Sequence, residues 1–159
     1  MKIYNHSKYN YVTIVEIPQE EISMIDMDMC AEPRQTLKNY YDKCNIKPDI
    51  ICNGGFFNMD NGKSTLTFKE DGVIQSYDSA HLEGIGLCDK KTLTFGTLSQ
   101  YPYEDFVSAY PLLIKNGQKA KITTASEINY KARRTILAYN GLYVYIIAIE
   151  SPGMNFTEM

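Results

Sequence analysis

The 159-residue chain reads as an α+β protein: mainly antiparallel or mixed β-sheet, with one principal helix at about residues 35–45 packed on it. Three observations carry that reading. Short β-branched segments recur between clusters of turn residues, a single stretch has helical spacing, and Asn-Gly or Asp-Gly pairs sit where hairpins would close. Tyr11 to Ile17 (YVTIVEI) is β-branched and nearly alternating, and Pro18-Gln19-Glu20-Glu21 breaks it. Ile22 to Met29 alternates again and predicts a second strand, with Asp26 and Asp28 on one face, either as an acidic pair or as its exposed side. Leu37, Tyr40, Tyr41 and Cys44 fall at i, i+3, i+4 and i+7, which puts them on one helix face. Pro33 suits the first turn, Glu32 complements the dipole, and Asn45 ends the helix before Pro48.

From there the pattern returns to β. Asp49-Ile50-Ile51-Cys52 predicts a short buried strand. Thr65 to Phe68 and Val73-Ile74, joined by Glu70-Asp71-Gly72, predict a hairpin. Leu113 to Gln118 holds an Asn-Gly turn. Thr135 to Ala138 and Leu142 to Ile149, around Tyr139-Asn140-Gly141, predict the strongest hairpin of the chain. Residues 1–159 show no repeat, low-complexity tract or linker, so a single domain is expected.

Composition narrows the partners. Sixteen Lys and Arg against nineteen Asp and Glu give a net charge of -3, and the basic residues are scattered, which argues against nucleic acid. Leu142–Ile149, the longest apolar run, is far shorter than the roughly 20 residues of a membrane helix. The first residues turn polar before any signal core, so a cytoplasmic protein is expected, with secreted or virion-borne alternatives. Cys30, Cys44, Cys52 and Cys88 form no C-x-x-C pair, and with only His6 and His81 to join them they read as reduced, mostly buried thiols. No metal ligand set and no cofactor are called for, although a divalent metal stays open.

Three places carry chemistry. In Asn53-Gly54-Gly55-Phe56-Phe57-Asn58 the glycines permit positive φ and close approach of backbone N–H groups to a ligand. Asn53 and Asn58 offer donors and acceptors for sugar hydroxyls or phosphate oxygens. One phenylalanine would stack on a sugar while the other fills the core. The plain alternative is a turn anchored by aromatics. Arg133-Arg134-Thr135 offers a guanidinium fork and a hydroxyl to a phosphate or carboxylate, or is a solvated basic pair. Glu150, at the end of an apolar strand, suits an acid, base or ligand anchor, or marks where the sheet meets water. His81, in the polar run Asp78 to Glu83, reads as solvated.

In this order, these strings resemble the phosphodiester glycosidase family, the uncovering-enzyme-like N-acetylglucosamine-1-phosphodiester glycosidases. Asn53 to Asn58 resembles the N-(A/G)-G-F-F-(N/D) loop, and Asp71-Gly72-Val73-Ile74 the glycine hairpin after it. Tyr110 to Gly117 is similar to the segment ending in a D/N-G turn, Arg134-Thr135 to the R-T pair, and Ser151 to Met159 to the serine/glycine-methionine-threonine run. The resemblance covers roughly Asp49 onwards. It implies a hydrolase acting on or binding a sugar phosphodiester or related glycan. Arg134, Thr135 and the amides of Gly54 and Gly55 would take the phosphate; Asn53, Asn58 and Phe56 would take the sugar. Glu150 and Arg134 would carry the catalytic roles.

The sequence departs from the family in two ways. Glu150-Ser151 stands where the family has aspartate-glycine, and the N-L-D-G-G-G-S loop is not in the sequence. A second polypeptide or second copy completing the sheet, a remodelled fold, or a shortened product is the expectation that follows. The rival reading is an inactive binding module, such as a phage or prophage protein that captures a phosphorylated sugar or nucleotide-derived small molecule.

Overall fold

The computed structural model describes residues 1–28, 35–58, 60–120, 130–155 and 158–159. Its elements run β1 (Lys2–Asn5), β2 (Val12–Pro18), a 3₁₀ turn (Gln19–Glu21), α1 (Leu37–Lys43), β3 (Phe68–Glu70), β4 (Val73–Ser76), β5 (Glu83–Leu87), β6 (Leu93–Thr97), β7 (Asp105–Ser108), β8 (Ile114–Lys115), β9 (Gln118–Lys119), β10 (Ala132–Tyr139) and β11 (Tyr143–Met154). Every strand pair is antiparallel. The protein is thus mostly antiparallel sheet with one short helix among the described residues, and it divides into two compact units.

The first unit is Met1–Ser23 with Pro111–Met159, and its sheet runs β1-β2-β11-β10. β11 pairs with β2 from Tyr143↔Pro18 to Ile149↔Val12 and with β10 on its other side. Its core gathers Val12, Ile149 and Met154 against Ile14, Ile136 and Ile147. The β10–β11 turn forms as the sequence predicts. Gly141 takes φ +92°, and Asn140 Oδ1 accepts hydrogen bonds from Leu142 N and Tyr143 N at 3.0 and 2.8 Å. The Asn116-Gly117 turn between β8 and β9 has both residues at positive φ.

The second unit is Met24–Tyr110, with the sheet β4-β3-β7-β5-β6. The predicted Asp71-Gly72 hairpin is present, with both turn residues at positive φ, and it joins β3 to β4. Phe106 and Leu87 are fully buried, and Phe68, Ile85, Leu93, Tyr103 and Val107 are buried with them. Asp105 is also 0% exposed. Its carboxylate is paired with Lys90 Nζ at 2.6 Å and accepts Asp71 N at 2.9 Å, which offsets the large cost of removing a charge from water.

Three elements differ from expectation. Ile22 to Asp28 is not a strand: apolar residues lie on both of its faces, and its backbone pairs with the second unit through Ile25 N→Lys90 O. Asp49 is exposed and Ile50 to Cys52 are half-buried, and the segment joins no sheet among the described residues. The helix is shorter than about 35–45, with Thr36 as its cap, accepting from Asn39 N at 3.1 Å. Lys47 Nζ meets the carbonyls of Tyr41 and Asp42 at its other end. Two turns cannot cover a sheet, and α1 carries no buried residue. Glu32, Pro33 and Met29 lie outside the described residues.

Lys90→Met leaves the buried Asp105 carboxylate unpaired. Unfolding free energy from urea titration is expected to fall by about 3 kcal/mol; a change inside about 0.5 kcal/mol contradicts the role given to this pair.

Candidate functional site

The predicted residues divide between the two units. Asn53, Gly54, Gly55, Phe56 and Asn58 belong to the second; Arg134, Thr135 and Glu150 belong to the first. Each group is described within its own unit.

The loop of the second unit is a small closed turn. Phe57 bridges to Ser64, and Thr65 N donates to Phe56 O at 3.0 Å. Asn58 anchors the turn: its N donates to Lys63 O and its O accepts from Gly62 N, both at 2.8 Å. Its side-chain Oδ1 accepts from Asp60 N at 2.7 Å, an Asx arrangement that leaves the amide NH₂ as the group offered outward. Residues 53–58 are all exposed.

The glycines work differently from expectation. Neither Gly54 nor Gly55 adopts positive φ. Gly55 permits a close approach, because a Cβ there would stand 3.0 Å from Val107 Cγ2. Above Gly54 nothing lies within 4 Å of such a Cβ, so neither packing nor backbone strain calls for glycine. Neither phenylalanine fills the core: Phe56 is 46% and Phe57 45% exposed.

In the first unit, Arg134 pairs with Ile149 and Thr135 with Ala148. Successive strand residues face opposite sides of a sheet, so the guanidinium lies on the Ile149 face and the hydroxyl on the other. Arg134 is half-buried and donates from Nη2 to Tyr130 O at 3.4 Å. Glu150 does not end its strand, since β11 continues to Met154. Between the pairs Arg134↔Ile149 and Ala132↔Met154, β10 advances two residues and β11 five. The surplus forms a bulge at Glu150-Ser151-Pro152-Gly153, with Glu150 exposed and its N donating to Tyr11 O at 2.9 Å. Bulges re-aim side chains and are frequent beside functional sites. Gly153 makes this one possible: it sits at φ +82°, and a Cβ would meet the Ala132 carbonyl at 2.5 Å. Phe156 and Thr157 lie outside the described residues.

The remaining polar candidates lie in the second unit. Lys90 reaches Asp26 at 3.4 Å, Asp71 at 2.7 Å and Asp105 at 2.6 Å. Burial alone would lower its pKa, but the hydrogen bonds it donates to the Asp105 and Asp71 carboxylates outweigh that and raise it. Burial, with the neighbouring Asp26 and Glu70 carboxylates, pushes Asp28 up to about 6, and Tyr40 donates its hydroxyl to Asp28. These groups tie a segment down and form no metal site: no cluster among the described residues suits a metal ion. Cys44 and Cys52 are half-buried and Cys88 is exposed, all three free, so burial of the thiols is less complete than expected; Cys30 is outside the described residues. No helix among the described residues is long and apolar enough to cross a membrane.

One arrangement departs from the sequence reading. His81 Nδ1 lies 2.8 Å from Asp78 Oδ2, and its ring meets Tyr110 edge-on at 5.1 Å. The signal available was D-x-x-H spacing on a turn, which an Asx turn converts into a contact. Hydrogen bonds from His81 and from Ala80 N hold the Asp78 carboxyl below the usual range.

No protein-family model matches the chain, and no curated protein or solved structure is significantly similar to it.

Gly153→Ala combines a backbone clash with a left-handed φ and is expected to lower stability by about 2–3 kcal/mol. Gly141→Ala, at φ +92° but with nothing within 4 Å, is expected to lose about 1 kcal/mol. Thermal unfolding of the two variants side by side checks the order; equal losses remove the packed bulge.

Proposed function

We propose that this protein recognises a phosphodiester attached to the anomeric carbon of a sugar and hydrolyses it, with the sugar seated on the Asn53–Asn58 loop. One observation carries the proposal: the loop leaves two adjacent phenylalanine rings about half exposed beside bare backbone at Gly54. Aromatic faces stack on the apolar faces of sugars, while uncluttered amide N–H groups donate hydrogen bonds to anionic oxygens. Asn53 and the outward amide of Asn58 supply hydroxyl partners of both kinds. Resemblance to the phosphodiester glycosidases supports the same substrate class. For the first unit the resemblance implies anion binding by Arg134 and Thr135 and acid–base chemistry by Glu150. These are separate proposals, each read by its own alanine variant.

Gly54→Ala is the sharpest test, because the fold has no need of that glycine. Its melting temperature is expected to match the wild type, while affinity for an aryl ester of N-acetylglucosamine 1-phosphate, measured by calorimetry, falls about tenfold or more. Phe56→Ala is expected to weaken binding by a similar factor. Wild-type affinity in both variants defeats the proposal. Binding of the ester without release of the aryl phosphate selects the inactive capture module instead.

A further inference from the structure

Asparagine followed by glycine is prone to lose its side-chain amide. Glycine leaves the next peptide nitrogen unshielded and free to swing onto the side-chain carbonyl. The chain holds this pair at Asn53-Gly54, Asn61-Gly62, Asn116-Gly117 and Asn140-Gly141. Their signature is the same, but their surroundings are not. At Asn61 the Oδ1 accepts from Lys63 N at 2.9 Å, and Gly62 N, the atom that would attack, donates to Asn58 O at 2.8 Å. At Asn140 the Oδ1 holds Leu142 N and Tyr143 N and so closes the β10–β11 hairpin. Asn116 and Gly117 form the turn between β8 and β9, with φ at 52° and 74°. Swinging the Gly117 nitrogen onto the Asn116 side chain would undo that turn.

Asn53-Gly54 lacks each of these restraints. Both residues are exposed and lie outside any strand, helix or turn. Among the described residues the Asn53 side chain has no hydrogen-bond partner, and Gly54 N has no acceptor. Nothing lies within 4 Å of a Cβ placed on Gly54, so the space beside the attacking amide is open. The pair is bounded by half-buried Cys52 on one side and by Gly55, which lies against Val107, on the other. The ends are anchored and the reacting pair between them is not.

We propose that Asn53 is a site of spontaneous deamidation, the first of the four to convert, and that its conversion switches off anion recognition by the loop. The switch rests on the function proposed above; the site does not. In the first step the Gly54 nitrogen gives up its proton and bonds to Asn53 Cγ. The bond from Cγ to Nδ2 breaks, and Nδ2 takes up a proton and leaves as ammonia. Water then adds to either carbonyl of the cyclic imide and breaks its bond to the ring nitrogen. One opening leaves aspartate, and the other leaves isoaspartate with an extra methylene in the main chain. Both place a negative charge where a neutral amide stood. A carboxylate there repels a phosphodiester seated on the loop.

The full chain is held in mildly alkaline buffer, native and in urea, and sampled over time by peptide mapping with mass spectrometry. Each hydrogen bond that must open first slows the reaction about two- to tenfold. In the native protein Asn53 is therefore expected to convert at least about fivefold faster than Asn61 and Asn140, and ahead of Asn116. In urea the four rates are expected to converge to within about threefold. Asn53 still intact when Asn61 or Asn140 has converted overturns the proposal. So does a lead of the same size in urea, which would assign it to neighbouring residues rather than to the fold. Asn53→Gln, whose side chain would have to close a larger ring, is expected to stay unmodified. Affinity for the aryl ester of N-acetylglucosamine 1-phosphate is expected to fall about tenfold or more as the wild type converts. Asn53→Gln is expected to hold its own starting affinity over the same incubation. Converted protein that binds as tightly as fresh protein overturns the switch alone. Fresh protein that binds no ester overturns the switch together with the function proposed above, and the mapping still decides the site.

Discussion

The second unit depends on four consecutive residues, Asp105 to Ser108, that are buried on both faces of their sheet. A strand so placed must satisfy its peptide groups on both edges and its side chains above and below. β7 meets the first demand by pairing with β3 and β5. It meets the second with one different contact per residue. Asp105 holds Lys90, Phe106 fills the core, Val107 underlies Gly55, and Ser108 ties His81. In the first unit β11 has the corresponding place between β2 and β10, and its bulge comes where pairing with β2 has ended at Ile149. Departing from the ladder costs least where one side of it has already stopped.

This division of labour explains which elements were legible in the sequence. The three hairpins were, because their turns are decided by adjacent residues: Asp71-Gly72 and Asn116-Gly117 take positive φ at both positions and Asn140-Gly141 takes it at Gly141. β5 was not. Its sequence, Glu83-Gly84-Ile85-Gly86-Leu87, has glycine at two of five positions, and the cause is tertiary. A Cβ on Gly84 would lie 2.2 Å from Val107 O, and one on Gly86 would lie 2.3 Å from the Tyr103 ring. Close packing against residues roughly twenty positions away erased the local signal. Ile22 to Asp28 is the converse case, an alternating string with no strand beside it among the described residues to complete a ladder.

The candidate site shows the same split. Asn53 to Asn58 was legible as unusual from composition, yet the reasons differ residue by residue. Gly55 is glycine because of Val107, a long-range contact no local pattern reveals. Asn58 is asparagine in part because its side chain closes the turn onto Asp60 N. Alternation along β10 separates Arg134 from Thr135, which adjacency in sequence had joined. His81 read as solvated because its partner, three residues earlier, reaches it only once Thr67 and Ser108 have pinned the intervening turn.

The exposed phenylalanines set the scale for a functional explanation of the loop. Burying one Phe side chain contributes about 1.5–3 kcal/mol, and this unit realises that gain at Phe106, which is 0% exposed. Phe56 and Phe57, left about half in water, forgo a comparable sum between them. The hydrogen bonds that close the turn, from Asn58, Gly62, Lys63 and Thr65, come from peptide groups and would form with polar side chains at both positions. Neither closure of the turn nor burial in the core accounts for two aromatic rings there. A flat apolar ligand face laid on them would recover the forgone burial, and a sugar whose phosphate meets the open backbone at Gly54 matches both the rings and the bare amides.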